Sequence, residues 1–181
     1  MTIQDQITTA ANAAGVPAWL ALGIAQRESG FDNNAVGSAG EIGIFQLRPS
    51  TAAQLGVDPH DPVQNIAGGV AYLGNLLRTF GGDTQKAAAG FNCGPTCVAN
   101  AVAAGGENWA AHIPSSTLAY VAGVTGSIPL PTAPVTLPAG SPTPLYAGLV
   151  PSTVSFDWQP WAWGTAALFG FVLLRRIAQR A

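Results

Sequence analysis

The sequence predicts a mainly α-helical domain over residues 1–126, a Pro-rich linker over 127–157 and a single transmembrane helix over 158–178, with a basic tail to 181. Three observations carry this division. Ile66, Val70, Leu73, Leu76, Leu77 and Phe80 form an apolar stripe at steps of three and four residues, the signature of a long amphipathic helix. Residues 127–157 hold seven prolines and no Lys or Arg, a composition that favours extended polyproline-like spacing. Trp158 to Leu174 then runs for 17 residues without a charge and meets Arg175-Arg176.

Each element has its own local reasons. Ile3, Ile7, Ala10, Ala11 and Ala14 fall at helical spacing, with Thr2 able to cap and Gly15 to stop. Pro17 suits the first turn of a second helix that runs to about Ser29. Residues 30–41 are rich in Gly, Asn and Ser and read as loop. Gly43 to Leu47 reads as a short extended piece, and Pro49 opens a brief helix that ends at Gly56. Asp58 to Pro62 is turn material, and Asp61 with Gln64 has the spacing of a capping box ahead of the long striped helix, which Gly81-Gly82 ends. Asp83 starts a helix through Ala87, Ala88 and Ala89 that breaks at Gly94-Pro95. Pro95 begins another, to about Ala104, and a last helix spans Ser116 to Val124. A helical domain of this size can bury its own core.

At the C-terminal end, Trp158 to Leu174 would span about 25 Å as a helix, against about 30 Å of bilayer core. Ile177 and Ala178 extend it if the arginines snorkel, and Trp158, Trp161 and Trp163 cluster as an interfacial belt would. Arg175, Arg176 and Arg180 then place the C-terminus on the cytoplasmic side and the main domain across the membrane. The first residues carry neither a basic stretch nor an apolar one, so no secretory signal is expected.

Charge excludes one class of partner. Charged residues are 9% of the chain, against roughly 25% in ordinary soluble proteins. Residues 1–126 hold Arg27, Arg48, Arg78 and Lys86 against eight acids, so no basic patch exists for nucleic acid. Cys93 and Cys97 lie four apart, and either a small-loop disulfide or two neutral thiols fits that spacing. Two cysteines without nearby histidine do not make a zinc site, and neither a metal nor a cofactor is expected.

One acid stands out. Glu28 closes the apolar run from Ala18 to Ala25 immediately before the Gly- and Asn-rich loop. A carboxyl placed there sits against hydrophobic side chains yet faces a loop, and desolvation favours its protonated form. Around it, Glu28-Ser29-Gly30-Phe31, Gly43-Ile44-Phe45-Gln46, Asn65-Ile66 with Gly69 and Tyr72-Leu73, Gly90-Phe91-Asn92 with Gly94, and Tyr120-Val121 occur in a fixed order. Any one of these is weak, but the ordered series over residues 5 to 125 resembles the soluble lytic transglycosylase family, the goose-type-lysozyme-like branch of the lysozyme superfamily.

That resemblance implies a lysozyme-like fold and cleavage of peptidoglycan glycan strands between N-acetylmuramic acid and N-acetylglucosamine, leaving 1,6-anhydro ends. Glu28 maps onto the single catalytic carboxylate. Ser29 would orient Glu28 or the substrate, Gln46 would hydrogen-bond sugar, and Asn92 would line the same cleft. Phe91 would stack on a sugar face, and Tyr120 would hydrogen-bond the Glu28 carboxyl. Asp32 and Glu41 are the nearest candidates for a second carboxylate, and loop solvation or turn capping suits them better. Two departures from the family pattern stand at Phe91, where a tyrosine is usual, and at Ser116, where a glutamate often lies. The expected setting is a membrane-anchored enzyme with its catalytic domain facing the wall, in a virion membrane where it opens the wall as a phage enters its host. Other virion proteins, or a secretion apparatus, would then be its partners. A hydrolytic lysozyme or chitinase on the same scaffold, and a structural protein that only binds glycan, are the competing readings.

Overall fold

A computed structural model describes residues 1–126, and these fold as seven α-helices with one 3-10 helix. The helices are α1 (Ile3–Ala13), α2 (Ala18–Ser29), α3 (Pro49–Leu55), α4 (Pro62–Thr79), α5 (Thr84–Cys93), α6 (Pro95–Gly105) and α7 (Ser115–Thr125), with the 3-10 helix Gly106–His112 between the last two. Among the described residues there is no strand, only two isolated antiparallel bridges, Val36 with Ile42 and Ile42 with Leu47. The linker at 127–157 and the transmembrane helix at 158–178 lie outside the described residues. Among those described, no helix is long and apolar enough to cross a membrane.

Local chemistry sets the helix ends. Thr2 Oγ1 accepts from the Asp5 amide at 3.1 Å while Asp5 Oδ2 accepts from the Thr2 amide at 2.9 Å, a complete capping box. Pro17 is not in the first turn of α2 but just outside it, as the N-cap. The Asp61–Gln64 box is half formed. Asp61 Oδ1 accepts from the Gln64 amide at 2.9 Å, but Gln64 Oε1 accepts from the Asp58 amide at 3.1 Å and closes the preceding turn instead. Asp83 caps α5 through the amides of Gln85 and Lys86.

The expected extended piece at Gly43–Leu47 is absent. Ile42 and Leu47 exchange backbone hydrogen bonds at 3.0 Å in both directions, so Gly43 to Gln46 between them form a tight turn. Gly43 and Gln46 have φ of 74° and 45°, values a strand cannot accommodate.

The long helix α4 buries the striped residues Ile66, Val70, Leu73, Leu76 and Leu77. It packs against α1, α3 and α5, while α2 packs against α1 and α7 and buries Leu20, Ala21 and Ile24. At 20–30 cal/mol per Å², a buried leucine or isoleucine stabilises the fold by roughly 1.5–3 kcal/mol, so this contiguous set supplies the main driving force. The 3-10 helix, which sequence periodicity does not reveal, folds back on α6 and buries Trp109. Lys86 Nζ lies 5.9 Å from the Trp109 ring and 2.8 Å from Asp83 Oδ2. Cys93 and Cys97 are joined in a disulfide across the α5–α6 corner, with their Cα atoms 5.9 Å apart.

Candidate active site

Glu28 occupies the last turn of α2, where Gly30 ends the helix in a left-handed conformation. Its Oε1 accepts a hydrogen bond of 2.6 Å from the Tyr120 hydroxyl of α7. Burial pushes the Glu28 carboxyl above its ordinary range; the Tyr120 bond opposes this, the Glu41 charge adds to it, and Arg27 opposes it weakly. Tyr120 is itself 6% exposed, and burial together with the Glu28 charge drives its phenol far upward, so it remains a protonated donor. The pair is therefore a carboxyl held toward its acid form beside a neutral donor.

The turn from Gly43 to Gln46 is fixed from a distance. Asn65 of α4 is fully buried and makes three hydrogen bonds: its Oδ1 accepts from the Phe45 amide at 2.8 Å, and its Nδ2 donates to the carbonyls of Ile42 and Pro59 at 2.9 Å each. Side chains cannot intrude here. A Cβ on Gly43 would lie 2.5 Å from Asn65 Nδ2, and one on Gly69 would lie 2.2 Å from Phe45 Cγ. The ordered motifs Gly43-x-Phe45 and Asn65 with Gly69 thus describe one contact, a turn docked on a bare stretch of helix.

Ser29 completes the connection. Its Oγ donates to the Ile44 carbonyl at 2.9 Å, tying the turn to the helix residue next to Glu28. Gln46 also serves its own loop, since Nε2 donates to the carbonyls of Ala35 and Gly43 at 3.1 and 2.9 Å. Both amide hydrogens are used there, which leaves Oε1 as its group for another partner. Phe31, immediately after Gly30, has φ of 71°, a conformation that costs a bulky residue energy and that clusters at functional sites.

The other acids of this region are committed to loop structure. Asp32 Oδ1 accepts from the Asn34 amide at 2.8 Å. Glu41 pairs with Arg48 at 3.0 Å and accepts from the Ala39 amide at 3.0 Å. Partial burial raises the Glu41 carboxyl, but its backbone bonds and Arg48 outweigh that and hold it below the ordinary range.

Phe91 and Asn92 come from the end of α5. Phe91 packs edge-on to Tyr72 at 5.2 Å between ring centroids and lies 6.3 Å from Phe45, so it joins the docked turn to α4. Burial raises the Tyr72 phenol to about 12. Asn92 is exposed, and its Oδ1 accepts from the buried Thr117 hydroxyl at 2.9 Å. Sequence reasoning gave no role to Thr117 or to Asn65. The usable signals were a hydroxyl three residues before Tyr120 on one helix face, and an amide beside the apolar stripe of α4. Among the described residues, no three His, Cys, Asp or Glu side chains gather where they could hold a metal ion.

This arrangement, one half-buried acid on a helix end with a docked turn and a phenol donor, defines a domain of the lysozyme-like class. The solved structures agree. The 70 kDa soluble lytic transglycosylase of Escherichia coli matches 66% of this chain at 27% identity with a TM-score of 0.60. An inactive Glu-to-Gln mutant of the lytic transglycosylase Slt from Pseudomonas aeruginosa matches 66% at 26% identity with a TM-score of 0.58. A family profile, the Transglycosylase SLT domain, matches residues 5–113, and the chain belongs to that family. A transglycosylase of Enterobacteria phage PRD1 is 41% identical over 63 residues, covering 34% of this chain. The membrane-bound lytic murein transglycosylase F 1 of Alkalilimnicola ehrlichii is 40% identical over 78 residues, covering 42% of it. The chain spans only 24% and 16% of those two relatives and 22% of each solved chain. The profile match ends before α7, so Tyr120 and Thr117 lie beyond it.

Proposed function

We propose that this chain is a peptidoglycan lytic transglycosylase, with Glu28 as its sole catalytic carboxylate. The 2.6 Å bond from Tyr120 to a half-buried Glu28 is the observation that supports this reading most directly. A carboxyl raised by burial can protonate the glycosidic oxygen between N-acetylmuramic acid and N-acetylglucosamine, and the C1–O bond breaks. The resulting carboxylate then takes the proton of the muramoyl C6 hydroxyl, whose oxygen bonds to C1 and closes the 1,6-anhydro ring. Protons balance across the two steps and no water is consumed. The Tyr120 phenol supports the carboxylate between them without carrying charge.

A one-carboxylate route also suits the loop chemistry. Asp32 and Glu41 are both engaged by backbone amides, and Arg48 neutralises Glu41. The sequence of 158–178 supports a tether to membrane, with the catalytic domain facing the wall. The phage relative supports local wall opening as a phage enters its host.

Digestion of purified peptidoglycan by the full-length protein, followed by mass spectrometry, tests the reaction. Anhydromuramoyl ends are expected, and Glu28→Gln should yield none. Free reducing ends would assign a hydrolytic lysozyme instead. Binding of glycan without cleavage would assign a structural role.

A further inference from the structure

Cys93 and Cys97 are the two cysteines of the chain, and the bond between them borders the candidate site. Cys93 is the last residue of α5, and Phe91 and Asn92 come immediately before it. Phe91 packs on Tyr72 of α4 and on Phe45 of the docked turn. Asn92 meets the Thr117 hydroxyl at 2.9 Å, three residues along α7 from the phenol that bonds Glu28. The last turn of α5 therefore joins the docked turn, α4 and α7.

Backbone chemistry closes the corner beyond it weakly. Gly94, between the two helices, has φ of 89° and ψ of 153°, a conformation open essentially to glycine, the residue that loses most entropy on ordering. Pro95 has no amide hydrogen and no side chain caps α6. The bond from the Val98 amide to the Gly94 carbonyl is long, at 3.4 Å. Ala87 to Gly90 are buried before the corner, and Val98 and Ala101 after it, so opening is confined to the residues between. Both cysteines are only half-buried, outside the sealed core.

We propose that the Cys93–Cys97 disulfide is a redox switch: formed, it sets Phe91 and Asn92 at the edge of the site, and its reduction by a dithiol releases them. A thiolate of the dithiol attacks one Sγ, and the other Sγ leaves as a thiolate. The second sulfur of the reductant then displaces the first cysteine and closes its own disulfide. Two electrons and two protons pass from the dithiol to Cys93 and Cys97. Closing so short a loop weights the ordered corner about 30-fold, and reduction removes that weight. Thiol-rich compartments reduce an accessible disulfide and oxidising ones keep it, so the site is loose in the first and set in the second. The effect on cleavage rests on the transglycosylase reading; the opening of the corner does not.

The full-length protein is assayed for peptidoglycan cleavage before and after treatment with excess dithiothreitol, with thiol titration to count sulfhydryls in each form. Hydrogen exchange follows the amides of residues 91–98 in the same samples. Reduction should lower cleavage about 10- to 30-fold and speed exchange at 91–98 by a similar factor, while the melt stays cooperative. Reoxidation by a small-molecule disulfide should restore both. A Cys93→Ser, Cys97→Ser protein should match the reduced form with or without the dithiol. Equal cleavage and equal exchange in the two forms of the folded protein overturn the proposal. A loss of cleavage on adding dithiol to the double variant overturns it too, because the reagent then acts elsewhere. Faster exchange on reduction, with no cleavage by either form, overturns the transglycosylase reading and leaves the switch standing.

Discussion

Glu28 and Tyr120 stand 92 residues apart in the chain and 2.6 Å apart in the fold. The acid comes from α2 and its donor from α7, and these two helices pack directly on each other. Glycine at position 23 permits this approach, since a Cβ there would lie 2.9 Å from the Val124 carbonyl oxygen. The pair is thus a product of helix packing, and the pKa of Glu28 depends on keeping both helices in place.

Tyr120→Phe removes the bond that opposes the upward shift of Glu28. The carboxyl should rise further, so the basic limb of the pH–rate profile should move to higher pH. Loss of one hydrogen bond to a charged group lowers the maximal rate about 10- to 100-fold. A profile that stays in place would separate Tyr120 from the acid.

Glu28→Gln should stabilise the protein near neutral pH. The folded carboxyl lies above its ordinary value of 4.5, so the fold holds its proton more tightly than the unfolded chain does. The stability this provides is fully present below 4.5 and is lost as pH rises through the folded value. An amide at the same place bears no charge at any pH and can still accept from Tyr120. Melting temperatures of the two proteins should therefore diverge above the folded value, in favour of Gln, and converge in acid.

Asn65→Ala should cost about 3–5 kcal/mol in denaturant unfolding, because it strands the Phe45 amide and the Ile42 and Pro59 carbonyls together. Gly69→Ala should also destabilise, by about 1–3 kcal/mol, through collision with the Phe45 ring. Pairing it with Phe45→Leu should recover part of that loss, and strict additivity would argue against the contact.

Replacing Cys93 and Cys97 by alanine should lower stability by about 2 kcal/mol, the chain-entropy value for so short a loop. Chemical unfolding of the two proteins measures it.

Most helices were legible because their signals are local. Asp83 caps α5, Pro49 opens α3, Gly56 closes it, and the stripe of α4 is buried as its spacing requires. Glu28 and Tyr120 were legible as members of an ordered series of motifs, which carries information on distant contacts that periodicity lacks. The Gly43–Gln46 turn was misread as extended because its conformation is imposed by Asn65, 20 residues from the Phe45 amide it holds. Gln46 is expected to hydrogen-bond sugar and Ser29 to orient Glu28 or the substrate; their bonds to the carbonyls of Ala35, Gly43 and Ile44 are additional, and a backbone carbonyl leaves no mark in a sequence. The 3-10 helix escaped because three residues per turn places no stripe at the α-helical period.

The separation of acid and donor along the chain also has a meaning in time. Translation makes Glu28 in α2 and Tyr120 only in α7, the last of the described helices. A nascent chain still short of α7 carries the carboxyl without its phenol and the Asn92 amide without the Thr117 hydroxyl. Completion of the Glu28–Tyr120 pair thus waits for α7, and a ribosome-bound fragment ending before α7 holds the other described helices without these two hydroxyls.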